Sequence, residues 1–510
     1  MDALASLAQG FAVASTPTNL LFVLIGVTLG QLIGVLPGIG PAAGMALLLP
    51  VTFGLEPVTA LVMLSGIMYG GMYGGTLTSV LVNVPGEAAS VMTAVDGNQL
   101  AKQGRAGAAL SISAIGSFLA GISAVTALVF LTPALSAFAL SFSAPEYFLL
   151  ALLGITATAS MGTGSPIKAM IGAALGLMVA LVGTDPIQGT SRLTFGSLEL
   201  LEGIDFLPVA IGIFGIAEIL VSMEQTQHVE PIKTRLRDMW LTAKDWAECR
   251  MAVLRGGTIG FLIGLMPGAG PTVAALLAYV VEKKFSRHPE RFGRGALDGV
   301  AAAESANNSA AHGALVPMLA LGIPGSASTA VLLAALVLLG IRPGPALLTE
   351  QSDLVWGLIA SMFIGNVFLL VMNLPMAPIF ASVLRIPYSY LVPGILMISL
   401  VGAYATSLSL FNVGLTLFFG VVGYWMIRAD IPRAPVVLAV VLAQLMETSL
   451  RQSLMLSEGS MAIFVQRPLS AVLALLVIAS LVLPIFNALM NRRAARRARL
   501  DDGLVSNSSD

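Results

Sequence analysis

Gly30-Gln-Leu-Ile-Gly34-Val-Leu-Pro37-Gly38-Ile-Gly40-Pro41 returns 230 positions later, without a gap, as Gly260-Phe-Leu-Ile-Gly264-Leu-Met-Pro267-Gly268-Ala-Gly270-Pro271. Proline removes a backbone donor and glycine admits positive φ, so each stretch reads as a helix that stops and restarts. Three more landmarks follow in the same order. Val84-Pro85-Gly86-Glu-Ala-Ala-Ser90 answers Ile323-Pro324-Gly325-Ser-Ala-Ser-Thr329, Pro145-Glu-Tyr answers Pro387-Tyr-Ser, and Asp185-Pro186 answers Asp430-Ile-Pro432. Four landmarks in one order predict a duplicated unit. The units run over 17–223 and 245–455, joined by a polar linker at 224–244. One further transmembrane helix is expected at 468–490, then a basic and polar tail at 491–510 that reads as disordered.

Of the 510 residues, 56% are apolar and only 10% charged, with mean hydropathy +0.90. A soluble domain carries roughly 25% charged residues, so lipid must be the solvent for most of this chain. Stretches such as 206–221, 354–373 and 468–487 approach the length that spans a bilayer. Period-two alternation is absent, which argues for helices over a β-barrel. The expected fold is an all-α polytopic membrane protein of two inverted-topology repeats with re-entrant or broken helices, with roughly 11–13 spanning segments. The N-terminus lacks a basic stretch before its first apolar run, so no cleavable signal peptide is expected. The single cysteine, Cys249, rules out an internal disulfide framework and a CxxC metal site. Neither GxxxxGK[ST] nor HExxH occurs, so an enzyme is poorly supported and no metal or cofactor is expected.

The net charge of −1 says less than its distribution. No Lys or Arg occurs in the first 101 residues, whereas the linker, its approach and the loop from Lys283 to Arg294 are rich in both. Cytoplasmic loops collect Lys and Arg. With each PGxGP segment taken as re-entrant, and single crossings near 58–95, 106–131, 145–163, 166–184 and 206–222, the odd count inverts the second unit. Arg192, Arg342, Arg451 and Arg467 then fall outside, leaving 22 of the 26 basic residues inside, the C-terminus among them.

A broken helix exposes unpaired N–H groups that suit a carboxylate; the competing reading is a kink or a close crossing of helices. Gly38, Gly40, Pro41, Gly268, Gly270 and Pro271 are candidate substrate contacts on this ground. A second pair of segments adds Tyr73, Asn83, Pro85 and Gly86 from one repeat, and Asn307, Asn308, Pro324, Gly325 and Ser326 from the other. Polar side chains inside a membrane segment are costly and usually functional, although interhelical hydrogen bonding is the plainer use. Oxygens of Thr76, Asn307, Ser328 and Thr329 are candidate cation ligands. Glu304 reads either as a proton-coupling carboxylate or as a solvated, salt-bridged one beside the basic Lys283–Arg294 loop, and His312 as a packed imidazole. Asp96, Asp185 and Glu218 are isolated acids, with Asp185 in a capped turn.

The sequence resembles the large membrane subunit of the tripartite tricarboxylate transporters, the TctA family. The order PGxGP, YGG, NxPG, then ExANN and GIPGS carries the likeness, with Gly183-Thr-Asp-Pro-Ile-Gln-Gly189, Arg192-Leu-Thr-Phe-Gly196, Gly203-Ile-Asp-Phe, Gly212-Ile-Phe-Gly-Ile-Ala-Glu218, Phe292-Gly-Arg-Gly295, Glu447 and Arg451. It covers about residues 20 to 480. One departure is visible: Ala303-Glu304-Ser305-Ala306-Asn307-Asn308 stands where the family usually has Pro-Glu-Ala-Ala-Asn-Asn. The resemblance implies uptake of citrate or other di- and tricarboxylates, or aromatic carboxylates, by symport with Na+ or H+ in the bacterial inner membrane. It implies two separate partners, a small four-helix TctB-like membrane subunit and a periplasmic TctC-like binding protein. Rival readings are a passive carboxylate channel and a membrane-embedded enzyme.

Overall fold

The computed structural model describes residues 3–36, 39–161, 165–185, 188–224, 239, 241–384 and 388–482. Gly38, most of the linker, the end of the last helix and the tail lie outside the described residues. The described fold is all-α and polytopic, as expected. Its only strands are Gly183–Thr184 and Ser191–Arg192, paired antiparallel. Among the described residues, seven helices are long and apolar enough to cross a membrane: Pro17–Val35, Pro57–Val82, Ala106–Phe138, Phe206–Glu224, Ser352–Asn373, Leu410–Arg428 and Ala434–Leu456. Shorter apolar helices accompany them, and two, Pro41–Thr52 and Ala327–Leu338, begin just after a glycine-proline break.

Close helix contacts explain the glycine spacing. Gly26, Gly30 and Gly34 lie along one stripe of Pro17–Val35 and meet the backbone of Pro57–Val82 at Met63, Ile67 and Gly71. Gly256, Gly260 and Gly264 on Ala243–Gly264 meet Ala302, Ala306 and Ala310 of Leu297–Gly313. A methyl at Gly260 would sit 2.3 Å from the Ala306 carbonyl oxygen. Small residues every fourth position permit this approach, which in lipid supplies the packing attraction. The first three glycines map onto the second three at an offset of 230 (256 minus 26), and their partners at 239 (302 minus 63).

The caps recur with the partners' offset. Pro57–Val82 ends on Asn83 in the left-handed region, φ 59°, and Leu315–Leu321 ends on Gly322, φ 71°. After each comes Pro-Gly, then a capping box: Glu87 with Ser90, and Ser326 with Thr329. The segment expected as one crossing at 58–95 is therefore two helices, Pro57–Val82 and Val91–Lys102, separated by the Pro85-Gly86 turn. The expected crossing at 106–131 continues to Ala139 through Pro133. A further helix, Ala3–Ala14, packs on Ser352–Asn373, with Gly10 against the Trp356 backbone.

The described helices that flank each PGxGP segment pack on each other as a hairpin. In the first, Gly44 of Pro41–Leu48 lies against the Ile33 side chain. In the second, Arg255 of Ala243–Gly264 forms a two-pronged pair with Glu282 of Gly270–Phe285, at 2.7 and 2.6 Å. The two units are tied together by polar contacts. Asp96 Oδ1 accepts from the backbone N–H groups of Gly293, Gly295 and Ala296 at 2.8–3.0 Å, and its Oδ2 from the Tyr279 hydroxyl at 2.7 Å. Asp185 receives Arg451 through two bonds and has Arg192 nearby; both arginines also reach Glu447. Glu218 pairs with Arg433. The acids read as isolated in the sequence are thus all engaged, and Asp185 also caps its turn by accepting from Gln188 N–H.

Candidate functional site

A cavity of about 1040 Å³ opens between the two hairpin tips. Six helices begin at its wall: Pro41–Leu48, Val91–Lys102 with its Ala88–Ser90 lead-in, Pro166–Ala180, Gly270–Phe285, Ala327–Leu338 and Ala434–Leu456. Their first turns present N–H groups that no helix bond satisfies, and the helix dipoles place partial positive charge there. Proline opens four of them, at Pro41, Pro166, Pro271 and Pro435, where its missing N–H costs no helix bond. Gly268 and Gly270 carry φ of 82° and 60°, which lets the second tip fold over onto the Pro-Gly turn; Gly268 N–H donates to the Gly325 carbonyl at 3.1 Å.

Gly40, Pro41, Pro85, Gly86, Gly268, Gly270, Pro271, Ser326 and Ser328 all line this cavity. The sequence reading missed its charged lining: Glu87, Lys168, Glu218, Asp430 and Arg433. Arg433 donates to Glu218 at 2.8 Å and to the Ile213 carbonyl at 3.3 Å, within a π-helical turn over Ile211–Ile216. Lys168 donates to the Ala429 carbonyl at 2.7 Å and lies 3.7 Å from Asp430. Glu87 was readable, directly after Pro85-Gly86; Lys168 and Arg433 counted only among the 22 basic residues assigned to the inner face.

The other candidates sit elsewhere. Pro324 and Gly325 are buried behind the turn, and Asn83 is an exposed cap. Tyr73 is buried, with its hydroxyl unpartnered among the described residues. Asn307 donates to Glu87 Oε1 at 2.9 Å, which links it to the cavity wall. Asn308 donates to Ser117 Oγ at 2.7 Å and to the Glu304 carbonyl, so it serves helix–helix bonding with Ala106–Ala139. Thr329 is spent in the Ser326 capping box, and Thr76 lies beside the Glu304 carboxyl. Of the four cation candidates, Thr76 and Asn307 thus lie beside the neighbouring Glu304 and Glu87 carboxyls, Ser328 is at the cavity wall, and the Thr329 hydroxyl is used by its cap.

Of the two readings of Glu304, the solvated, salt-bridged one is corrected. The residue is fully buried, bonded to the Thr93 hydroxyl and remote from any salt bridge among the described residues, because Leu297–Gly313 carries it inward from the basic loop. His312 is packed as expected. Its Nδ1 meets the Asn308 carbonyl at 2.7 Å, its Nε2 meets Asn366 Nδ2 at 3.1 Å, and its ring stacks on Tyr69.

The family described as "Tripartite tricarboxylate transporter TctA family" matches residues 20–438. An uncharacterized 52.8 kDa protein from the TAR-I ttuC' 3'region of Agrobacterium vitis is 42% identical over 493 residues, covering 97% of this chain and 98% of that protein. An uncharacterized protein from the TAR-II ttuC' 3'region of the same organism is 39% identical over 234 residues, 46% of this chain and 97% of its own length. No solved structure matches.

Proposed function

The chain belongs to the tripartite tricarboxylate transporter TctA family, and from that premise we propose that it is the permease subunit of an importer that moves di- or tricarboxylates through the central cavity by cation symport. The carrying observation is the ring of six helix N-termini around one cavity. Anions are stabilised at such termini, and Lys168 and Arg433 bring cationic groups to the wall, each beside an acid, Asp430 and Glu218, that a bound carboxylate would compete with. The volume leaves ample room for a small organic acid together with its water shell.

Access alternates between the two sides as inverted repeats exchange positions around the site. The equivalent caps support this duplication. So do the ion pairs, each of which joins residues that the charge pattern assigns to one face: Arg105 with Asp245 on the inner side, Arg192 and Arg451 with Asp185 on the outer. The protein sits in the bacterial inner membrane with its C-terminus cytoplasmic. It works with a small TctB-like membrane subunit and a TctC-like binding protein.

The test is uptake of labelled di- and tricarboxylates into proteoliposomes holding the chain with these two partners. Gradient-driven accumulation and trans-stimulated counterflow are expected; downhill flux without counterflow would show a pore. Lys168→Ala is expected to weaken carboxylate binding about tenfold, the equivalent of about 1.4 kcal/mol. Unchanged affinity would remove the cavity as the binding site.

A further inference from the structure

Glu87 is the one carboxylate at the PGxGP and Pro-Gly tips that line the cavity, and no Lys, Arg or His lies within ion-pair distance of it among the described residues. Its equivalent in the second repeat is Ser326, an uncharged cap at the same position (326 minus 87 is again 239). A bare negative charge facing an anion site works against the substrate unless something neutralises it.

The surroundings show what that could be. Asn307 points its Nδ2 at Glu87 Oε1, 2.9 Å away. Its Oδ1, on the same amide group, is enclosed and has no hydrogen-bond partner among the described residues. With no cation between them, turning the amide over would set two oxygens against each other, which dictates this orientation. One turn earlier on the same helix, Glu304 is also fully buried, and its Oε2 is likewise unpartnered. The Glu304 and Glu87 carboxyls lie close enough to feel each other, no counter-charge is paired to either among the described residues, and buried charges of this kind need a partner. Carboxylate and amide oxygens are hard ligands of the kind that hold Na+ or Ca²⁺. Cavity exposure singles out Glu87, and its single charge matches a monovalent ion.

Resting on the carboxylate-symport reading above, we propose that Glu87 and Asn307 form the coupling-cation site: Na+ binds against the Glu87 carboxylate at the cavity wall, and the Asn307 amide turns over to give the ion its Oδ1 in place of the N–H that Glu87 otherwise accepts. Occupancy removes the negative charge that faces the incoming carboxylate, so cation and substrate bind better together than apart.

The test is radiosodium binding to the purified full-length chain, followed by carboxylate binding with and without Na+. Saturable Na+ binding is expected in the wild type. Affinity should fall at least about tenfold in Glu87→Gln and clearly in Asn307→Ala, with both variants eluting and melting like the wild type. Carboxylate binding should strengthen with Na+ in the wild type and lose that dependence in Glu87→Gln. Unchanged Na+ affinity in a folded Glu87→Gln overturns the assignment. So does a wild type that responds to pH alone. Na+ binding lost in Glu87→Gln, in a wild type that binds no carboxylate, would uphold this site and sink the symport reading instead.

Discussion

Gly260→Ala is the sharpest probe of how the repeats are packed. Its new methyl would lie 2.3 Å from the Ala306 carbonyl oxygen, 2.6 Å from Cα and 2.8 Å from the carbonyl carbon. Relaxed carbon–oxygen contacts start near 3.3 Å, so the two helices must part locally by about 1 Å. Every clashing atom is backbone, and no rotamer change relieves it. Overpacking of this kind costs about 1–3 kcal/mol. Gly414→Ala is the matched control: it lies inside Leu410–Arg428 with nothing within 4 Å, and the helical gain from alanine is about 0.5–1 kcal/mol. The two substitutions should therefore move stability in opposite directions. Thermal unfolding in detergent, followed by tryptophan fluorescence, separates them. Gly30→Ala, 2.5 Å from the Ile67 oxygen, should behave like Gly260→Ala. If Gly260→Ala melts at or above Gly414→Ala, the packing argument is wrong.

Three other outcomes follow from contacts already described. Arg451→Ala strips the two-pronged partner from Asp185, whose side chain is 3% exposed, leaving Arg192 at 3.7 Å; a loss approaching about 3 kcal/mol is expected, and Asp185→Asn in the same chain should recover part of it in thermal melts. Asp96→Ala orphans three backbone N–H groups, each worth about 1–3 kcal/mol when buried; hydrogen exchange of residues 293–296 should speed up, and unchanged protection would refute the clamp. Asn83→Gly should be close to neutral, whereas Asn83→Val should cost about 1–2 kcal/mol, because φ at this cap is 59°; equal melting of the two would deny that the cap's backbone matters.

Much of the architecture was legible because Pro and Gly constrain the chain covalently. Pro85-Gly86 and Pro324-Gly325 announce a helix end whatever surrounds them, and nine of the residues picked from such motifs line the cavity. What could not be read was pairing across the duplication. Asn307 and Asn308 look alike in the sequence, yet one faces Glu87, 220 positions away, and the other faces Ser117, 191 away. The solvated, salt-bridged alternative for Glu304 rested on proximity in sequence to the Lys283–Arg294 loop, while the helix turned it to face Thr93. Lys168 and Arg433 gave no local sign of their role, since each reaches the cavity only through the N-terminal turn of its helix.

The Pro57–Val82 helix has a consequence for how the protein is made. Its most apolar window is 94% buried by other protein, and its glycine stripe is covered early, by Pro17–Val35, which precedes it. Its opposite face is not. The Tyr69 ring rests on Gly365, a residue synthesised 296 positions later (365 minus 69). At about 5–20 residues per second, the ribosome needs about 15–60 seconds to deliver that surface. Through that interval a glycine-rich face with hydroxyls meets lipid, the translocation machinery or a chaperone. A shortage of any such shelter should show first as early proteolysis of the nascent amino-terminal half.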